Sequence, residues 1–362
     1  ALAVQMASNC MAVFGCHRRP QRAVPHSRPP VTIVRPLSGL EQFSSETLAS
    51  TFSIDYPDYE ILFCAAQPGD PILPLVRNLV AEHPQHEAQI LIGEDVISAN
   101  PKLNNIAKGF RHARHDHIAF VDSNVLIPPD YLDQLVCRLG DGAGLVTAPP
   151  VGYAPLGFWA EVECAFLNSY QARIQYAVDM MGCGFAQGKT LFFRREDLDN
   201  GGFSQLADEA AEDAAATKMM RARGQRIRLA GPFPQLIGMR SSRQVWNRQV
   251  RWARLRRASF PWLFAPEILA GLLPPLASLL AGLSCLGAVS PLAIGLFTAA
   301  WYAPELILLR LAGWPRSLAA MLLRDVMLPL VFIAGCASSE VEWHGKRITS
   351  RPARRPAPAA RP

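Results

Sequence analysis

Between Val31 and Val121 the chain repeats one pattern: a short unbroken apolar run, a polar break, then apolar residues at helical spacing. The runs are Val31-Thr-Ile-Val34, Glu60-Ile-Leu-Phe-Cys-Ala65, Ala88 to Ile92 and His117-Ile-Ala-Phe-Val121. Each is too short for a helix and lacks the polar alternation of a half-exposed strand. Glu41 to Thr51, Pro74 to Glu82 and Asn104 to Arg114 read as the helices between them. Continuous apolar strands alternating with helices predict an α/β fold, with a mainly parallel sheet covered on both faces. Ligands of such sheets sit beyond the carboxyl ends of the strands. Asp70 and Asp122 follow the second and fourth runs, which places both at that edge.

After Pro150 the pattern loosens. Gly157 to Tyr176 carries Phe158, Trp159, Phe166, Tyr170 and Tyr176, which suit a core and an acceptor groove equally well. Phe185 to Arg194 reads as a strand and Glu212 to Gly224 as a helix. From Trp262 three apolar segments follow, at 262–288, 291–309 and 317–336. A crossing takes about 20 residues, so the first is long enough to span, with a kink expected at Pro274-Pro275. The third is interrupted by Arg324-Asp325 and Pro329. Positive charge precedes the first segment (Arg254, Arg256, Arg257) and follows the second (Arg310, Arg316). Placing these residues and the basic tail on the cytoplasmic side makes the first two segments a membrane hairpin. The third then lies in the interface or re-enters. Residues 1–16 resemble the back half of a transmembrane helix, and the chain start is expected to continue upstream. A basic linker occupies 17–30, the catalytic domain 31–258, the membrane helices 259–338 and the basic cytoplasmic tail 339–362.

Half of the 362 residues are hydrophobic and 18% are charged, with the apolar excess towards the C-terminus. That distribution points to a bilayer rather than to a uniformly greasy domain. The net charge of +6 gathers beside apolar segments. Such placement suits anionic headgroups, and no arginine run interleaved with stacking aromatics offers a nucleic-acid platform. The eight cysteines are scattered without metal-ligand spacing, which fits a reduced cytoplasmic domain. His112, His115 and His117 cluster but lack a fourth ligand, so a metal centre is not inferred there.

Transfer from a nucleotide sugar calls for a carboxylate at the base or ribose and a second one for a diphosphate-bound metal. It also calls for a carboxylate base on the acceptor hydroxyl, and for cations on the departing diphosphate. Asp70, Asp122, Asp213 and Arg251 can fill these roles in that order. Taken singly, an aspartate after a strand is more often a turn or cap residue. Arg248 and Arg251, taken singly, are more often an interfacial charge pair.

From Val31 to Arg347 the chain carries Arg35-Pro36-Leu37-Ser38-Gly39, Gly69-Asp70-Pro71, Asn100-Pro101-Lys102-Leu103-Asn104-Asn105 and Asp122-Ser123-Asn124. Ala211-Glu212-Asp213, Arg248-x-x-Arg251-Trp252 and Trp343-His344-Gly345-Lys346-Arg347 follow. In these motifs it resembles glycosyltransferase family 21, the ceramide glucosyltransferases, which have a GT-A catalytic domain and the pattern D, D, D, (Q/R)xxRW. The resemblance implies UDP-glucose as donor, a ceramide or similar lipid as acceptor, and Mg2+ or Mn2+ as cofactor. It assigns Asp70 and Lys102 to the nucleotide end and Asp122 to the metal. Asn124 stands where a second carboxylate of a full DxD would be. Asp213 becomes the general base, with Glu212 ranked second, and Arg248, Arg251 and Trp252 close over the diphosphate and the acceptor entrance. Galactose or glucuronate as sugar, a hopanoid or diacylglycerol as acceptor, and an inactive lipid-binding scaffold are the alternatives.

Overall fold

The computed structural model describes residues 1–17, 25–140, 142–338, 340–343 and 346–349. Most of the basic linker and tail, with His344 and Gly345 of the terminal motif, lie outside the described residues. The chain forms β1 (Val31–Leu37), β2 (Tyr59–Ala65), β3 (Glu87–Ile92), β4 (His117–Val121), β5 (Ala143–Thr147), β6 (Val151–Leu156), β7 (Thr190–Arg194), β8 (Arg226–Leu229) and β9 (Pro234–Met239). The order of the seven-stranded sheet is β3-β2-β1-β4-β7-β5-β8, while β6 and β9 pair separately. Every residue of β1 and β2 is buried, as their unbroken apolar runs require of strands covered on both faces. The helices Leu73–Glu82 and Pro101–His112 supply crossovers between parallel strands. Close packing of the second is set by Gly109, where a Cβ would run into Val34 and come within 3.0 Å of the Cys64 sulfur.

Several boundaries differ from the sequence expectation for identifiable reasons. The helix expected from Glu41 starts at Ser44 and runs into a short 3-10 turn, Ser50–Ser53. The helix expected from Asn104 starts at Pro101, because Asn100 caps it by accepting from the backbone N–H of Lys102 and Leu103. Gly157 to Tyr176, which showed no regular period, is helical from Phe158, in a run that reaches Met180 with a π-helical stretch at Phe166–Ala172. The strand expected over 185–194 is confined to β7, and β7 runs antiparallel to both β4 and β5. Residues before Thr190 therefore form a loop beside the carboxyl end of β4.

Two C-terminal helices, Pro291–Leu311 and Leu318–Ala337, are long and apolar enough to cross a membrane. The first apolar segment is instead a pair, Pro261–Leu269 and Leu273–Cys285, bent by 48°. Pro274 and Pro275 sit in the first turn of its second helix, where a missing N–H costs nothing. Leu318–Ala337 touches the sheet-bearing part of the chain along its length. Tyr153 donates to the Gly313 carbonyl just before it (2.6 Å), Arg324 reaches Ser169 midway, and Arg257 donates to the carbonyls of Gly335 and Cys336 near its end. The Arg324-Asp325 pair does not break this helix. Arg324 binds Glu305 (2.8 Å) and Asp325 (2.7 Å), while Asp325 accepts from Tyr302 and from the backbone of Leu272. Charges inside an apolar helix persist when each finds a partner in the protein.

Candidate active site

Asp122 leaves β4 at its carboxyl end, and Arg35 fixes the loop that follows. This fully buried arginine donates to the carbonyls of Asp122 (2.8 Å), Ser123 (3.1 Å) and Val125 (3.1 Å), and to Thr51 Oγ1 (2.6 Å). Burial draws its pKa down to about 10, still charged at neutral pH. The Asp122 carboxylate then meets two lysines: Lys102 Nζ at 2.6 Å from Oδ1 and Lys189 Nζ at 2.7 Å from Oδ2. Burial works against its ionisation, but the two ammonium groups hold its pKa well below the usual carboxylate range.

Lys102 joins this carboxylate to the second acidic group. Its ammonium also lies 2.6 Å from Glu212 Oε1 and donates to the Gly188 carbonyl (2.5 Å). Burial disfavours that charge, yet Asp122 and then Glu212 outweigh it and hold the lysine above its ordinary range. The other Glu212 oxygen accepts from Asn100 (2.8 Å), so both of its oxygens are engaged. Asp213 accepts from the backbone N–H of Gly188 (2.9 Å) and Ala214 (2.8 Å). Burial first, and then the charge of Glu212, raise its pKa to about 6. Gly188 is thus shared between Lys102 and Asp213, and a Cβ there would come within 2.9 Å of Glu212 and 3.4 Å of Asp213.

The arginines come from the helix Ser242–Ser259, whose start is fixed by a capping box between Ser241 and Gln244. Arg248 pairs with Glu163, a fully buried carboxylate that also lies 3.5 Å from Arg240. Its guanidinium sits over the Trp252 ring at 5.9 Å, the one-turn spacing expected of positions four apart. Trp252 packs on Ala160, Cys164, Leu167 and Ile237 with part of its surface, and on Ala211, Ala214 and Leu255 with another. The tryptophan therefore seats this helix against the segment that carries Asp213. Arg251 feels Arg248, Glu163 and Asp122, and burial followed by the like charge of Arg248 draws its pKa down to about 10.

The structure brings together Lys102, Asp122, Asp213, Arg248, Arg251 and Trp252 from four separate stretches of chain. Asp70 stands elsewhere on the edge. Its carboxylate accepts from Gly39 N (3.1 Å) and Ile72 N (3.0 Å), tying the loop after β1 to the loop after β2. Sequence reasoning missed Lys189, Glu163 and the clamp made by Arg35. Lys189 and Glu163 lie outside every motif that the sequence offered. Arg35 was signalled only by its place in Arg-Pro-Leu-Ser-Gly.

One observation bears on a metal. Asp122 Oδ2 and Asn124 Oδ1 both accept from the same Lys189 ammonium, at 2.7 and 3.1 Å, so a carboxylate and an amide oxygen face one cationic point. Hard oxygen donors of this kind suit Mg2+ or Mn2+ once diphosphate oxygens add to them. No group of three or more His, Cys, Asp or Glu able to hold a metal exists among the described residues, so substrate oxygens would have to complete the shell.

A family model described as Glycosyl transferase family 21 matches residues 1–355. Ceramide glucosyltransferase 1 of Caenorhabditis elegans is 27% identical over 266 residues, 72% of this chain and 57% of that protein. Ceramide glucosyltransferase 3 of the same organism is 27% identical over 330 residues, covering 88% of this chain and 72% of that protein. The chain thus spans little more than half the length of the first of these relatives. Among solved structures, a mannosyltransferase from Pyrobaculum calidifontis in complex with GDP-Man and Mn2+ aligns over 93% of this chain and 98% of its own, with a TM-score of 0.51 and 20% identity. The likeness shows the fold, which is GT-A.

Proposed function

The chain belongs to glycosyl transferase family 21, and on that premise we propose that it is a membrane-bound inverting enzyme moving glucose from UDP-glucose to the primary hydroxyl of ceramide. The names of the two Caenorhabditis elegans relatives support this choice of sugar and lipid. The observation that carries the reading is the meeting of Asp122, Lys102 and Asp213 at the carboxyl edge of one sheet, under a helix bearing Arg248 and Arg251.

Asp213 takes the proton of the acceptor hydroxyl as its oxygen attacks the anomeric carbon. The bond to the diphosphate breaks on the opposite face, UDP leaves with the electron pair, and configuration inverts to a β-glucoside. A pKa of about 6 suits the task, since Asp213 is ionised at neutral pH yet more basic than an ordinary carboxylate. Asp122 with Asn124 would hold Mg2+ or Mn2+, which offsets charge on the leaving diphosphate. Lys102 and Arg251 add fixed positive charge there, where exclusion of water strengthens it. Asp70 keeps the Gly39 loop in place at the nucleotide end. Trp252 holds the arginine helix over the site, and the apolar helices keep the domain at the membrane where the lipid arrives, its catalytic face cytoplasmic.

The test is a product assay on detergent-solubilised protein. Ceramide is offered with UDP-glucose, UDP-galactose and UDP-glucuronate separately, with and without Mn2+, and lipid products are identified by mass. Hexosylceramide from UDP-glucose is the expected result. UDP release without a ceramide product moves the acceptor to hopanoid or diacylglycerol. Folded protein that reacts with no donor overturns the reading in favour of an inactive lipid-binding scaffold.

A further inference from the structure

Resting on that donor-site reading, we propose that Lys189 is a donor-positioning residue whose ammonium binds the diphosphate and gives this chain a hold on that group that does not depend on metal. Backbone geometry places it there. Because β7 runs antiparallel to β4, Thr190 pairs with Val121, and the Lys189 carbonyl accepts from Asp122 N at 3.1 Å. The residue entering β7 is thereby held beside the residue leaving β4, independently of any side-chain preference.

The two lysines are unevenly partnered. Lys102 has two carboxylate partners, Asp122 and Glu212. Among the described residues, Lys189 has only the Asp122 oxygen that Lys102 leaves over, plus the neutral Asn124 amide. Its side chain is 16% exposed, so water balances little of the remaining charge. Asn124 occupies the position where a second carboxylate would have paired it. Lys102, shared with Glu212, and Lys189 thus flank Asp122 at the edge where a diphosphate is to sit, and Lys189 is the cation with fewer fixed partners. A lysine suits this use because its compact charge rides on a flexible four-carbon stem that can turn from Asp122 to a phosphate oxygen.

Binding of UDP and of uridine to the full chain in detergent, by calorimetry in EDTA and in Mn2+, separates this role from a structural one. The wild type is expected to bind UDP in EDTA more tightly than uridine. Lys189→Gln should lose about tenfold or more of that UDP affinity, the scale of one lost hydrogen bond to a charged group. The loss should be smaller in Mn2+, uridine binding should be unchanged, and Lys189→Arg should stay near wild type. Equal UDP affinity of Lys189→Gln and wild type in EDTA would overturn the proposal. So would equal weakening of uridine, or wild type preferring UDP over uridine only in Mn2+. Wild type that fails to bind UDP even with Mn2+ would remove the donor-site reading, and this inference with it.

Discussion

Arg324, Glu305 and Asp325 form one buried charge cluster, between apolar helices; Lys102, Asp122 and Glu212 form another, at the sheet edge. Both pair cations with carboxylates at 2.6 to 2.8 Å. They differ in access and in slack. The side chains of Arg324, Glu305 and Asp325 are 1 to 2% exposed. Around them Tyr302, Ser169, Gln5 and the Leu272 backbone supply further fixed partners. At the sheet edge Lys102 and Asp122 keep 16 and 20% of their side chains open, and two lysines share one carboxylate. A closed, fully partnered cluster can only hold helices together, since every exchange would strand a charge. An accessible cluster in which one cation has a single carboxylate partner can trade that partner for a ligand.

The largest effect that would sharpen this contrast is kinetic. Asp213→Asn should lower turnover by about a hundredfold to ten-thousandfold, the usual range for a general base, while UDP affinity stays close to wild type. Turnover near wild type would remove Asp213 from the mechanism. At the other cluster the effect should fall on stability. Arg324→Leu strands Glu305 and Asp325 and should cost roughly 3–5 kcal/mol, read by denaturation in detergent. Adding Glu305→Leu should recover part of that loss, and a further loss would show that the pair is not acting as one unit.

A smaller effect concerns pH. An ionised Asp213 is required, so kcat/KM should fall as pH drops through about 6 rather than through the ordinary carboxylate range. Glu212→Gln removes a neighbouring negative charge and should move that fall to lower pH; a profile unmoved by it would leave burial as the whole cause. The smallest effect tests the platform of the arginine helix. Ser241→Ala removes half of the capping box and should cost about 1 kcal/mol, seen as a lower Tm with UDP binding little changed.

How far sequence alone reached follows the same division. The four strands of the first half were legible because burial on both faces leaves an unbroken apolar run. Asp122 was legible because its strand ends there. Direction was not, since apolar pattern is the same for a parallel and an antiparallel strand, and this hid the approach of Lys189 to Asp122. Asn100-Pro101 reads as a break as readily as a helix cap, so Lys102 was placed before its helix rather than in the first turn. Asp213 was ranked ahead of Glu212 by the resemblance alone; no sequence pattern showed that both oxygens of Glu212 are engaged. Arg324-Asp325 looked like an interruption because their partners lie 19 or more residues away along the chain, or next door on the same helix.

The most direct test of the central claim, in-line transfer assisted by Asp213, is the anomeric configuration of the glycolipid made from UDP-glucose, read by proton NMR of the purified product. A β-glucoside is the result this account requires. An α-glucoside would mean that configuration is retained, and would contradict a single displacement at this sheet edge.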